Sequence, residues 1–180
     1  MPWKNGGGET TEIAISPSTA SMDNFDWRIS MATVASNGAF SQFPGVERIL
    51  TMIDGEGMTL DVEGMTSETL QVGGSPFTFP ADSVCQGTLK DGSITDFNVM
   101  TRRGKYQAQV FQRTRYEDNM VHSQNRLVFA AFGAISGSMD GEQFHLENRD
   151  TLLLENINSQ ALVITTDTVW LDVQINLSSA

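Results

Sequence analysis

Hydrophobic and polar residues alternate along much of this chain with a period of two, in short runs. Over 24–34 the order N-F-D-W-R-I-S-M-A-T-V sets Phe25, Trp27, Ile29 and Met31 against Asp26, Arg28, Ser30 and Ala32, which predicts a half-buried strand. Apolar runs at 48–53 and 58–62 flank D-G-E-G at 54–57, so a hairpin with a positive-φ glycine turn is expected between them. Val46, Ile49, Leu50 and Ile53 also fit helical spacing, but the glycine turn arrives at once and favours a strand. Similar runs recur at 68–72, 76–79, 84–89, 94–101, 106–113, 127–132, 144–146, 152–155, 161–165 and 169–175. Many short strands bounded by Gly, Asp and Asn, with no sustained helical period, predict an all-β antiparallel sandwich or jelly roll and argue against a Rossmann fold or a (β/α) barrel.

A weak internal repeat runs through the pattern. R-I-L-T-M-I-D-G-E-G-M-T-L from Arg48 lies over R-L-V-F-A-A-F-G-A-I-S-G-S from Arg126, and S-E-T-L-Q-V near residue 70 lies over R-D-T-L-L-L near residue 152. This predicts a tandem duplication, with halves at 1–111 and 112–180 packed as one compact unit. Each half is too small for comfortable stability alone, so a broad apolar interface is expected. The polar, aperiodic stretch 112–125 is expected to connect them.

Charge narrows the partners. The 180 residues carry 22 Asp plus Glu against 11 Lys plus Arg, a net charge of −11, which repels phosphate backbones and anionic bilayers, so neither nucleic acid nor a membrane surface is expected. At 39% hydrophobic residues the chain lacks the signature of disorder. The single cysteine, Cys85, excludes an intramolecular disulfide and a four-cysteine zinc site. No run reaches the roughly 18 apolar residues of a membrane span, and the start M-P-W-K-N-G-G-G lacks the apolar core of a secretory leader. A cytoplasmic location is expected.

Three constellations could carry chemistry. In W-K-N-G-G-G-E-T at 3–10, consecutive glycines after a lysine can turn backbone N–H groups toward one anion, with Lys4 adding charge and Trp3 an apolar wall. The lysine precedes the glycines and a strand-like E-T-T-E-I-A-I follows, so neither nucleotide-binding fingerprint is met; a bent chain end is the alternative reading, and a large aromatic, Trp3, beside the lysine and glycines favours a site. In T-D-F-N-V-M-T-R-R-G at 95–104, a strand would set Phe97 and Val99 with Thr95 and Thr101 on one face and Asp96, Asn98, Met100 and Arg102 on the other. Lining an interior, that second face would offer the Asn98 amide, an Arg102 fork for a ligand carboxylate and Asp96 to orient the arginine. On the outside it would be a solvated face with an ordinary ion pair. Arg28 is the third candidate, opposite the apolar face of its strand, where most arginines are simply solvated.

Metal and nucleophilic chemistry have thin support. His122 and His145 stand 23 residues apart, and a facial triad would need Glu142 or Glu147; one surface and one partly buried imidazole is the plainer account. Cys85, in S-V-C-Q-G with no histidine near it, reads as a buried thiol, and no serine has a G-x-S-x-G setting. No metal and no cofactor are expected.

W-K-N-G-G-G-x-T-x-E-I at the start, F-D-W-R-I-S at 25–30, S-x-F-P-G-V-x-R at 41–48, P-F-x-F-P at 76–80 and D-F-N-V-M-T-R-R-G at 96–104 together resemble the HutD/Ves family. The match covers most of residues 2–104 in order and is diffuse beyond about residue 110. The resemblance implies a cupin-type jelly roll in two tandem cupin-like barrels, a bicupin, without the metal ligands of ordinary cupins and without an established catalytic activity. For HutD-like members it implies a bacterial histidine-utilisation context and governor-like binding of a small metabolite such as formylglutamate; for Ves-like members, a link to stress and cold response. Carried onto this chain, the motif positions Trp3, Lys4, Asn5, Gly6, Gly7, Asn98, Met100 and Arg102 become pocket candidates, with Arg28 and Asp96 behind them. Family members usually have a further stretch before the tryptophan motif, so the first barrel is expected to lack a strand or to start short.

The expectation is a non-catalytic protein that binds a small carboxylate or acylamino acid in a metal-free cupin pocket. Lys4 and Arg102 would neutralise the anion, the amides of residues 6–8 and Asn98 would orient it, and Trp3 would close the apolar side. The alternative is a metal-independent cupin isomerase or hydrolase with Asp96 or a glutamate as base. A third reading is an interaction module that pairs through a sheet edge or apolar face, as in a homodimer.

Overall fold

The computed structural model describes residues 1–3, 6–121, 123–155 and 160–178. Short alternating segments with frequent Gly, Asn and Asp stops give seventeen strands, and no helix occurs among the described residues; none is therefore long and apolar enough to cross a membrane. The strands fall into two compact units, Met1–Gln107 and Ala108–Ser179.

The first unit holds β1 (Gly8–Ser16), β2 (Trp27–Val34), β3 (Gly38–Ala39), β4 (Val46–Asp54), β5 (Met58–Val62), β6 (Glu68–Leu70), β7 (Phe77–Pro80), β8 (Cys85–Leu89) and β9 (Ile94–Arg102). They form two sheets, ordered β1-β2-β9-β4-β7 and β3-β8-β5-β6, which share no hydrogen-bonded edge among the described residues. Val34, Leu50, Met52, Phe79 and Ile94 from one sheet meet Met58, Leu60, Val62, Leu70 and Cys85 from the other in one core cluster. The apolar half of each alternating pattern is thereby taken out of water. Register sets the same face in rows: Arg28, Met100 and Arg48, then Ser30, Asn98 and Leu50, then Ala32, Asp96 and Met52. The face thus grades from apolar core to charge within a few residues.

The D-G-E-G segment is not the hairpin loop its composition predicts. β4 pairs with β9 and β7, whereas β5 pairs with β8 and β6, so the segment carries the chain from one sheet to the other. Its glycines are required all the same: Gly55 and Gly57 have φ of +94° and +116°, and a Cβ on Gly57 would stand 2.6 Å from the Leu70 carbonyl oxygen.

The second unit holds all but the first two residues of β10 (Tyr106–Arg113), then β11 (Tyr116–Val121), β12 (Asn125–Phe129), β13 (Ile135–Met139), β14 (Glu142–Leu146), β15 (Thr151–Glu155), β16 (Gln160–Ile164) and β17 (Trp170–Leu177). Its sheets are ordered β10-β17-β12-β15 and β11-β16-β13-β14, around Val128, Ile135, Leu162, Ile164 and Trp170. Strand for strand this repeats β2-β9-β4-β7 and β3-β8-β5-β6, with β1 alone lacking a counterpart among the described strands.

The sequence repeat from Arg48 and Arg126 therefore joins equivalent strands, β4 and β12. Its second piece does not: 67–72 contains β6, whereas 149–154 enters β15, the counterpart of β7. The stretch 112–125, expected as a connector, contains the end of β10 and all of β11. The polar run Q-R-T-R-Y-E-D-N at 112–119 hid the period. β13, with the sequence I-S-G-S-M, has too few large apolar residues to show as a strand.

Candidate functional site

One face of β2, β9 and β4 breaks the apolar rule of a sheet interior. Arg28, Ser30, Arg48, Asp96 and Asn98 are all buried there, around a cavity of about 560 Å³, a size suited to a small molecule. Residues 1–3, the loop carrying Phe40, Ser41 and Phe43, and Gly87 form further parts of the wall.

Strand geometry holds each charged group. Arg28 Nε donates to Glu12 Oε2 at 2.8 Å and its Nη1 to Ser30 Oγ at 3.1 Å; Glu12 stands opposite Ser30 at an irregularity in β1 that lies over this row. The Arg48 guanidinium lies 5.4, 5.6 and 5.9 Å from the ring centroids of Phe40, Phe43 and Phe79. This aromatic cage replaces part of the lost hydration, and Arg48 Nη2 reaches Met100 Sδ at 3.7 Å. Burial pulls the Arg48 pKa below its ordinary value, with the charge of Asp96 opposing. Asn98 Nδ2 donates to Asp96 Oδ1. Burial pushes the Asp96 carboxyl up to about 6, against the charge of Arg48 and hydrogen bonds from Asn98 and the Ala32 amide.

Polar capacity is left over. Arg28 Nη2, Arg48 Nε, Asp96 Oδ2 and Asn98 Oδ1 are buried without a hydrogen-bond partner. Each such group costs about 1–3 kcal/mol. Two donors and two acceptors in neighbouring rows match a molecule that brings the complement.

Of the residues singled out from sequence, Trp3, Gly7, Arg28, Asp96 and Asn98 line the cavity. Trp3 packs against the core, and its Nε1 donates to Thr10 Oγ1 at 2.8 Å. Gly6 N–H donates to the Trp3 carbonyl at 3.0 Å, and Trp3 N–H to the Gly8 carbonyl at 2.8 Å. The glycine run thus folds the chain end back along β1, and the Gly6 amide is used in that turn instead of being aimed at an anion. Lys4, Asn5 and His122 lie outside the described residues. Met100 packs with Phe25, Val46 and Ala81 and does not line the cavity.

Arg102, expected as the ligand fork, is engaged elsewhere. Its Nη1 donates to the Pro44 carbonyl at 2.7 Å and its Nη2 to the Phe25 carbonyl at 3.2 Å, with the guanidinium 5.5 Å from the Phe25 ring centroid. As the last residue of β9 it clamps two loops, and Asp96 bonds Asn98 instead of orienting it. The arginine that sequence reading passed over is Arg48. The signal was present in V-E-R-I-L-T-M-I, where period two puts Arg48 on one face with Leu50 and Met52.

The donor set does not fit a metal ion. Asp96 is the one carboxylate in the lining among the described residues, and Arg28 and Arg48 share the wall with it. Among the described residues no three His, Cys, Asp or Glu side chains gather as ligands. His145 is exposed in the second unit, its Nδ1 2.8 Å from Ser136 Oγ. Cys85 lies in the core, where burial pushes the thiol up to about 11, as for an inert thiol.

Facing antiparallel sheets with a polar pocket between strands define a cupin-like all-β protein, and a cupin 2 conserved barrel domain protein from Leptotrichia buccalis matches the fold. Its TM-score is 0.62 at 13% identity, over 95% of this chain and 89% of that one. The chain belongs to the HutD family, whose model matches residues 1–171. HutD from Pseudomonas fluorescens SBW25 is similar in structure, with a TM-score of 0.81 and 31% identity over 99% of this chain and 94% of that one. An uncharacterized 21.2 kDa protein from the hutC 3′ region of Pseudomonas putida is 35% identical over 162 residues, 85% of this chain and 84% of that protein. Protein Ves of Citrobacter koseri is 46% identical over 109 residues, 60% of this chain. The matched part spans 56% of that relative's own length.

Proposed function

We propose that the first unit is a receptor for a small carboxylate of the acylamino-acid class, such as a formylglutamate-like metabolite. In this reading the protein acts by binding and not by turnover, and modulates histidine utilisation or a stress response. The observation that carries it is the pair of buried arginines with unpartnered nitrogens, Arg28 Nη2 and Arg48 Nε. A carboxylate brings acceptors for both, and an acylamino N–H brings a donor for Asp96 Oδ2 or Asn98 Oδ1. Trp3, Phe40 and Phe43 suit the alkyl portion. Arg48 takes the part that sequence reasoning gave to Arg102. The metabolic context rests on HutD family membership, and the repeated strand order supports reading the two units as tandem cupin-like folds.

A thermal-shift panel of urocanate, formiminoglutamate, formylglutamate and glutamate tests the proposal. At least one compound should raise the melting temperature in a concentration-dependent way, and Arg48→Met should remove the response. Silence from the whole panel at millimolar concentration would refute it. The raised pKa of buried Asp96 favours a second reading, a metal-independent isomerase or hydrolase with Asp96 as general base. Turnover of a panel compound, abolished by Asp96→Asn with binding retained, would select that reading.

A further inference from the structure

The second unit fills the equivalent rows differently. Arg126 stands opposite Gln174 and Val128 opposite Asp172, as Arg48 stands opposite Met100 and Leu50 opposite Asn98. Arg126 thus corresponds to Arg48, and Asp172 to Asn98. Arg126 grips Asp172 with both arms, Nε to Oδ1 at 2.7 Å and Nη2 to Oδ2 at 2.8 Å. Arg113, from the counterpart strand of β2, donates from Nε at 2.6 Å, and Gln174 Nε2 adds a contact at 3.1 Å. Asp172 is fully buried, with both oxygens engaged. Trp170 precedes it by two residues, as Asp96 precedes Asn98, and fills the next row with a buried indole that donates to the Thr114 carbonyl at 2.7 Å.

In this fold, then, arginines on these two strands close around a carboxylate. We propose that Asn98 is a specificity-determining residue: an amide at this position leaves the arginines of the first unit open to a carboxylate from outside, whereas Asp172 supplies one from within and closes the second unit. The inference rests on the receptor reading and goes beyond it, since it assigns ligand binding to one unit and names the residue that decides.

The test moves one carboxylate by one row. The double variant Asp96→Asn/Asn98→Asp keeps the number of acids and places the carboxylate where Asp172 sits. N-formylglutamate is titrated calorimetrically into the parent protein, Asp96→Asn and the double variant, each checked for a cooperative melt. The parent should bind, and the double variant should bind at least about tenfold more weakly than Asp96→Asn, the scale of one charged contact. Equal affinity in the single and double variants overturns the inference and leaves the receptor intact; no binding by the parent overturns both. A second arm needs neither ligand nor double variant. Asp172→Ala should melt lower than the parent, and added formate should recover part of the loss where chloride at equal ionic strength does not. Absence of a formate-specific recovery overturns the claim that these strands select a carboxylate.

Discussion

Asp96→Asn tests whether the cavity holds an uncompensated charge. Asp96 is fully buried, its Oδ2 has no partner, and burial carries its carboxyl from 3.8 to about 6 despite the pull of Arg48, Asn98 and the Ala32 amide. A folded-state pKa above the unfolded value means that the native protein prefers the protonated acid. Between about pH 4 and 6 unfolding releases a proton, so this contribution to stability falls as pH rises and stays reduced above about pH 6. At about 1.36 kcal/mol per pH unit, the gap between 3.8 and about 6 amounts to about 3 kcal/mol at pH 7. Asparagine keeps the shape and an oxygen for the Asn98 donor but does not ionise. The variant should be more stable than the parent by up to about 3 kcal/mol at pH 7.5, about 6–12 °C in melting temperature for a chain of this size, with no advantage at pH 4. Calorimetric melts of both proteins at pH 4, 5, 6 and 7.5 measure this directly. A difference that does not vary with pH, or a less stable variant at pH 7.5, would refute the reasoning. A gain would mark Asp96 as retained for the site at the expense of the fold.

Four further outcomes follow from the same geometry. Carboxylate affinity should rise as pH falls from 8 to 5.5, because protonating Asp96 removes a like charge from the cavity; calorimetric titration should show no such trend in Asp96→Asn. Arg48→Met should abolish the thermal response to carboxylates while the melt stays cooperative, since methionine fits among Phe40, Phe43, Phe79 and Met100 without needing a partner. Arg102→Ala should lower stability by about 1–3 kcal/mol, through its lost bonds to the Pro44 and Phe25 carbonyls, and leave ligand affinity unchanged in the same titration. Gly57→Ala should destabilise by more than about 1 kcal/mol in urea melts, because φ is +116° and the new methyl would meet the Leu70 carbonyl.

How far the sequence disclosed this site depends on what strand parity can and cannot say. Period two assigned Asp96 and Asn98 to the face opposite Phe97 and Val99, and both line the cavity. Arg102 shares that parity, yet parity carries no information on where the cover ends; at the last position of β9 the loops at Phe25 and Pro44 capture its guanidinium. D-G-E-G announced its positive φ angles but not which sheet the next strand would join. Arg48 was hidden by averaging, because one arginine among Val46, Ile49, Leu50, Met52 and Ile53 barely changes the hydropathy of the run. Its parity nevertheless forces it onto the core face, where a bare guanidinium is too costly to persist without partners. In the second unit the partner is Asp172 and the arginine is fully held. In the first it is three ring faces and a methionine sulfur, with Nε left over. Between those outcomes stands the exchange of a carboxylate oxygen for an amide nitrogen, Asp172 against Asn98. Neither hydropathy nor strand propensity registers that exchange, yet with Trp170 standing where the first unit has Asp96 it moves the buried carboxylate of this face by a row, into the grip of the arginines or out of it.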